Sequence, residues 1–405
     1  MPETMKPTPE NMLCLIEAIH DKSPVSGLTH AYYRYPARFS PSFARAAIQL
    51  FTKSGDVVYD PFMGGGTTLV EAMVSRRQGI GTDLNSLSVF ISKVKTSVLT
   101  DEDVLILRNS VVQAQSSLKL TRVPEKPIDW IVQGYQRNIS GRTTWPIRKT
   151  IEMALENIDS LPSEKQRDFV RCLLLRTTQW AVDCRKHHPS ASNLRQQMQT
   201  YGEEMITGAL ELREQVGQRR TGPSRNSIMA PLCLHLSAKD IALPHRYPFS
   251  SAPKLILTSP PYPGVHVLYH RWQIHGRKET PAPYWIANCL DGNGASFYTF
   301  GDRKKKTLEN YFENMRESYA ALAAISDENT WLVQLVAFSD PEWQLPLFLR
   351  ILQQCGFDEV QCGGLPTAID GRAWRTVPNR KFYADSKGKT PSSNEVLLVH
   401  KRTAW

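Results

Sequence analysis

Residues 56–83 constrain the fold more than any other stretch of the chain. Asp56-Val57-Val58-Tyr59-Asp60 is a short buried strand in the making, and it runs directly into Pro61-Phe62-Met63-Gly64-Gly65-Gly66-Thr67-Thr68. An apolar helical pattern follows from Leu69 to Arg77, and Gly79-Ile80-Gly81-Thr82 then reads as a second strand ending at Asp83. Strand, glycine turn, helix, strand is the arrangement of nucleotide-binding α/β folds. No Lys follows the last glycine, so the turn is not a phosphate loop, and it lacks the spacing of the dinucleotide fingerprint. Glycines here let backbone pass close to a ligand without a clash. A lone Asp after a strand is usually a turn or cap residue. One βα unit beyond a glycine turn, Asp83 reads instead as an acceptor for ribose hydroxyls.

A second constraint lies some two hundred residues on. The apolar run Leu255-Ile256-Leu257 is a strand that ends in Thr258-Ser259-Pro260-Pro261-Tyr262. Two consecutive prolines remove two donors and fix φ, so the corner is stiff. A stiff corner keeps the Pro260 carbonyl pointing outward as an acceptor. Ser259 adds a hydroxyl that donates or accepts, and Tyr262 adds a flat ring. Together they suit the holding of a planar heterocycle by its exocyclic amine, with stacking on its face.

At 405 residues the chain is long enough for two or three domains or one elaborated domain. Its net charge of +10 favours a polyanionic partner. No apolar run is long enough to span a bilayer, and Met1-Pro2-Glu3-Thr4 is not the start of a signal peptide. Seven scattered cysteines with no CxxC pair suggest reduced thiols in a cytosolic protein and no metal site.

Helices are expected over Met12–His20 and from Pro41, where Ser40 caps the first turn. Another is expected from Ser86 to Val98. Residues 101–227 read as a mostly helical insert with a basic linker at its end. Within it, Arg185-Lys186-His187-His188 reads as a solvated charged face rather than a metal site. The α/β pattern resumes at Leu232–Leu236 and closes on two strands, Gly356–Val360 and Asn394–His400. Residues 263–306 read as one long basic and aromatic loop. Tyr269, His270, Arg271 and Trp272, then Arg277, Lys278, Tyr284 and Trp285, end at Arg303-Lys304-Lys305-Lys306. Such interleaving suits contact with bases and backbone. Arg372, Trp374, Arg375, Arg380 and Lys381 form a second patch, balanced between that use and a solvated surface.

Taken together, the two motifs resemble those of the DNA amino-methyltransferases, which methylate exocyclic amines from S-adenosylmethionine. The resemblance covers about residues 30–100 and 230–400; the insert carries none of it. It implies a Rossmann-like α/β fold with a doubly wound, mostly parallel sheet ending in an antiparallel hairpin. The catalytic domain is then 1–100 with 228–405, and either the 101–227 insert or the 263–306 loop reads the target. Asp60, Pro61, Phe62, Gly64, Gly66, Thr67 and Thr68 match the cofactor motif. Phe39 and Ser40 match the segment beside the methionine end of the cofactor. Asp83 matches the ribose position, and Thr258 precedes the catalytic motif Ser259, Pro260, Pro261 and Tyr262. The Ser form is associated with cytosine N4, the Asp or Asn form with adenine N6. Ser237 stands where the family often places an acid that meets the adenine edge. The resemblance also implies double-stranded DNA as partner, a restriction endonuclease or other defence protein alongside it, and a prokaryotic cytoplasm. Rival readings are an adenine-N6 or RNA amine methyltransferase, and a non-catalytic nucleic-acid-binding protein on the same fold. Loss of glycines or of the tetrad would mark the last; both are intact.

Overall fold

The computed structural model describes residues 8–403 apart from 24, 36–38, 118–129, 131–132, 219–229, 266–270, 276–277, 293–294, 302–307, 362–367 and 377–393. The basic linker, Tyr269, His270, Arg277, the 303–306 run, Arg380 and Lys381 therefore lie outside the described residues.

Strands β1 (Val57–Asp60), β2 (Gln78–Asp83), β3 (Leu232–His235) and β4 (Leu255–Thr258) pair in parallel in the order β3-β2-β1-β4. Two further strands, β5 (Trp272–Ile274) and β6 (Lys278–Thr280), form a separate antiparallel hairpin. Strand β7 (Trp331–Ala337) extends the main sheet in parallel beyond β4. Beyond it run β8 (Phe357–Glu359), β9 (Ala368–Ile369), β10 (Arg372–Thr376) and β11 (Asn394–Arg402). β11 lies antiparallel against β7, and its other edge takes β10 at one end and β8 at the other. This is the expected mostly parallel, Rossmann-like sheet with an antiparallel close.

β4 and β7 are apolar on both faces, as strands covered on both sides are. Leu255, Leu257, Val333 and Leu335 face one core with helices α1 (Pro9–His20) and α2 (Pro41–Phe51). Ile256, Leu332 and Val336 face the other. Ser40 starts α2 as expected: its side chain accepts from the Phe43 amide at 3.3 Å, and Pro41 takes the first helical position.

The remaining helices flank these cores. α3 (Thr67–Val74) follows the glycine turn, and α4 (Ser86–Lys95) follows Asp83. Helices α5 (Asp101–Ser117), α6 (Trp145–Ile158), α7 (Glu164–Val182) and α8 (Ala191–Gln218) make up the insert. Short helices α9 (Ala282–Ala287) and α10 (Ala295–Tyr298) come after the β5–β6 hairpin, and α11 (Glu309–Ala324) and α12 (Pro341–Gln354) complete the chain.

The 263–306 stretch is therefore not one loop. Trp272, Tyr284 and Trp285 are buried in a core that also holds Leu87 and Ile91 of α4 and Leu173 and Met205 of the insert. Trp272 donates to the Tyr33 hydroxyl at 2.9 Å, and the Cys184 amide after α7 donates to the Gln273 carbonyl at 2.8 Å. Trp272, Tyr284 and Trp285, expected to meet bases, instead share a core with α4 and the insert. Composition could not separate these uses, because a buried ring and an exposed one are the same letter.

Candidate active site

β1 and β4 are neighbours, and the chain leaves them in opposite directions: toward β2 and β3 from one, toward β7 from the other. A crevice opens at such a reversal, beyond the strands' carboxyl ends. Both sequence motifs stand there. The cleft, about 850 Å³ counting its open mouth, is lined by Gly64 and Gly65 on one wall and by Ser259 and Pro261 on the other.

Asp60 fixes the two walls to each other. One carboxylate oxygen accepts from Thr258 Oγ1 at 2.8 Å and from the Phe62 amide at 3.2 Å. The other accepts from Thr68 Oγ1, on α3, at 2.6 Å. Burial pushes the Asp60 carboxyl up to about 7, against the opposing pull of these donors.

The glycines serve chain packing more than expected. Gly66 sits at φ +72°, a left-handed geometry that favours glycine, and a Cβ there would come within 2.7 Å of Ser92 Oγ. A Cβ on Gly65 would stand 2.9 Å from the Tyr35 Cβ. The close approach at Gly65 is thus by Tyr35, whose ring lines the cleft and whose hydroxyl accepts from Asn85 at 3.1 Å.

Asp83 receives the Gly64 amide (3.0 Å) and Ser88 Oγ (2.8 Å) on one oxygen and the Asn85 amide (2.8 Å) on the other. Burial raises its carboxyl above the ordinary range, and those three donors oppose the rise. The residues present fit S-adenosylmethionine. The singly engaged oxygen of Asp83 keeps acceptor capacity for a ribose hydroxyl. Phe62, Leu84, Ala238 and Phe300 offer apolar surface to a flat heterocycle, and the rings of Tyr35 and Phe39 suit a sulfonium cation. Ser237 also lines the cleft, so the expected acidic neighbour is replaced there by a hydroxyl.

Of the residues expected from sequence, Phe39, Asp60, Pro61, Phe62, Gly64, Thr67, Asp83, Ser259 and Pro261 line the cleft. Ser40, Gly66, Thr68, Thr258 and Tyr262 are not among the lining residues, and Pro260 sits in the corner between Ser259 and Pro261, which are. Ser40 is a helix cap; Thr68 and Thr258 hold Asp60. Tyr262 departs most from expectation: its ring is 4% exposed and packs in the core under β4 and β7, so it presents no stacking face to the cleft. Its hydroxyl lies 2.7 Å from both Ser259 Oγ and Glu395 Oε1.

Sequence reasoning missed Tyr298 and Phe300, which reach the cleft from the far end of the 263–306 stretch. Phe300 packs edge-on against Phe62 at 5.4 Å. Tyr284 and Tyr298 share a hydroxyl contact at 3.3 Å, and Tyr284 donates to Asn85 at 3.0 Å. The second basic patch, balanced in sequence between nucleic-acid contact and a solvated surface, has its described arginines engaged elsewhere. Arg372 pairs with Glu359 through two bonds of 2.6 and 2.7 Å, and Arg375 is buried against Glu395. The described cations of that patch are thereby already paired within the fold. No group of three metal-ligating side chains occurs among the described residues, and none of their helices is long and apolar enough to cross a membrane.

Residues 11–93 match the protein-family model described as DNA methylase, N6_N4_Mtase. The chain is 33% identical over 110 residues to the type II methyltransferase M.MvaI of Kocuria varians, covering 24% of this chain and 24% of that protein. It is 35% identical over 66 residues to the type II methyltransferase M.MjaII of Methanocaldococcus jannaschii, covering 16% of this chain and 12% of that one. These matches thus span a quarter or less of the relatives' own lengths. Among solved structures, the rRNA methyltransferase aviRa from Streptomyces viridochromogenes aligns over 95% of this chain and 89% of its own. Its TM-score of 0.28 at 10% identity is too low to bear on fold or function.

Proposed function

With residues 11–93 placing this chain in the DNA methylase family of the N4/N6 type, we propose that it methylates the exocyclic N4 amine of cytosine in DNA. One observation carries the proposal: Ser259 and Asp83 line the same cleft at the strand-order reversal.

When bound, S-adenosylmethionine supplies an electrophilic methyl on a sulfonium. Asp83 would hold the ribose, and the aromatic wall of Tyr35 and Phe39 the cationic end. Cytosine's amine is a poor nucleophile because its lone pair is spread into the ring. Ser259 Oγ and the Pro260 carbonyl would accept the amine hydrogens, which draws the lone pair back onto nitrogen. The contribution is positioning and electrostatics, without a covalent enzyme intermediate. A neutral hydroxyl at 259, in place of a carboxylate, supports cytosine over adenine. The base is reachable only when flipped out of the duplex. The chain's positive charge supports double-stranded DNA as partner, held in a salt-dependent manner. The designation type II in both relatives' names makes a cognate restriction endonuclease in a prokaryotic cytoplasm the partner to seek.

The test is mass spectrometry of nucleosides from DNA and RNA treated with the protein and labelled S-adenosylmethionine. Label in N4-methylcytosine from DNA is expected. Label in N6-methyladenine or in RNA would overturn the acceptor, and absence of label in both polymers would overturn the activity.

A further inference from the structure

A buried chain of polar groups runs away from the cleft behind Ser259. Ser259 Oγ lies 2.7 Å from the Tyr262 hydroxyl and donates at 3.1 Å toward the Leu335 carbonyl on β7. The Tyr262 hydroxyl donates to Glu395 Oε1 at 2.7 Å. The other oxygen of Glu395 takes Arg375 Nε at 2.8 Å and Nη2 at 2.6 Å. Arg375 in turn donates through Nη1 to the carbonyl of Ile19, the penultimate residue of α1, at 3.0 Å. Arg375 and Glu395 face each other across β10 and β11, and both are buried.

The polarity of this chain can be worked out from its two ends. Arg375 has donors only, so it claims Oε2 of Glu395 and leaves Oε1 to Tyr262. A carboxylate accepts and does not donate, so the single Tyr262 proton points at Glu395. The Tyr262 oxygen is then an acceptor toward Ser259. Whether Ser259 sends its own proton to Tyr262 or to Leu335, that proton is spent inside the protein. A buried ion pair adds little net stability compared with well-packed apolar groups. One placed two hydrogen bonds behind a cleft hydroxyl has a clearer use in fixing direction.

We infer that Glu395, held by Arg375, is a positioning residue that makes the Ser259 hydroxyl an acceptor toward the cleft. The inference rests on the proposed function, in which Ser259 receives the hydrogens of the substrate amine. A buried carboxylate thereby does indirectly what a carboxylate at position 259 would do directly, without placing a charge beside the base.

The test compares Ser259→Ala, Glu395→Gln, Tyr262→Phe and the Glu395→Gln/Tyr262→Phe double variant. Turnover is read as labelled methyl transfer from S-adenosylmethionine to unmodified genomic DNA, with cofactor affinity measured separately. A glutamine at 395 must turn its amide toward Arg375 or toward Tyr262. Facing Tyr262, it reverses that bond, sends the tyrosine proton to Ser259 and fills one of the acceptor positions. Both single variants should lower kcat about tenfold, the scale of one lost charge-assisted hydrogen bond, with cofactor affinity unchanged. The double variant should be no slower than Tyr262→Phe, because both changes break one chain. Full kcat in Glu395→Gln or in Tyr262→Phe, with Ser259→Ala inactive, would overturn the relay and leave the proposed function standing. Additive losses would also overturn it. Full kcat in Ser259→Ala would overturn the proposed function itself. If Glu395→Gln fails to bind cofactor through misfolding, Tyr262→Phe alone decides, since it keeps the buried ring.

Discussion

Thr258 and Asp60 stand 198 positions apart in the chain and 2.8 Å apart in the fold. Their bond ties together the carboxyl ends of β1 and β4, strands that also pair through Val58 with Leu255 and Tyr59 with Ile256. Thr258→Val keeps the shape and removes the donor. It should cost about 1–3 kcal/mol of stability, the range for leaving a buried acceptor short of a partner. Urea unfolding checks this; an unchanged midpoint would show the contact is dispensable.

Asp60 also gives the protein a pH signature. Its carboxyl is raised from 3.8 to about 7 in the folded chain. Between those values the native state holds a proton that the unfolded state has released. Its contribution is therefore full below about pH 4 and is lost as pH rises through about 7. Asp60→Asn should remove that downward slope of thermal midpoint against pH.

His400 works in the opposite sense. The imidazole is 1% exposed, and burial with Arg372 nearby pulls it down from 6.5 to about 3. As pH falls below 6.5 the unfolded state gains a proton that the native state refuses, so stability is lost toward acid. His400→Leu should flatten this acid limb. It should leave stability at neutral pH equal or higher, since neither ring nitrogen has a hydrogen-bond partner among the described residues. Acid denaturation of the two proteins side by side decides.

Gly66→Ala should destabilise by about 2 kcal/mol or more, from left-handed backbone strain together with the Ser92 clash. Gly217→Ala is the control: nothing lies within 4 Å of its would-be Cβ, and its φ is ordinary. That change should be neutral or stabilise by up to about 1 kcal/mol. Equal effects of the two would remove the special role of Gly66.

Asp83→Ala should weaken S-adenosylmethionine binding by about tenfold or more, through loss of a charged acceptor and of the anchor for the Gly64 amide. Titration calorimetry reads this directly. Unchanged affinity would take Asp83 out of the site.

Much of the scaffold was legible in the order of residues. The strand at Val57, the glycine turn, the second strand to Asp83 and the cap at Ser40 are local features, and local chemistry specifies them. The meeting of Gly65 with Pro261 was legible only through the combination of motifs. What stayed hidden is what depends on distant partners. Tyr262 finds Glu395 across 133 positions, and nothing near either residue announces it. Arg375 read as a nucleic-acid contact or a solvated cation, because arginine is usually exposed. Trp272 and Tyr284 looked like nucleic-acid contacts because their neighbours are cationic, yet they fill a core shared with α4 and the helical insert.

That shared core sets a rule for anyone exchanging the helical insert between related chains. A transplant of residues 101–227 alone would strip cover from Trp272, Tyr284 and Trp285 in the host, and the graft would arrive with its own apolar face bare. Tyr284 also holds Asn85, two residues past Asp83, so the damage would reach the cleft that Asp83 and Asn85 line. A workable chimera must carry the insert and residues 271–300 as a single cassette.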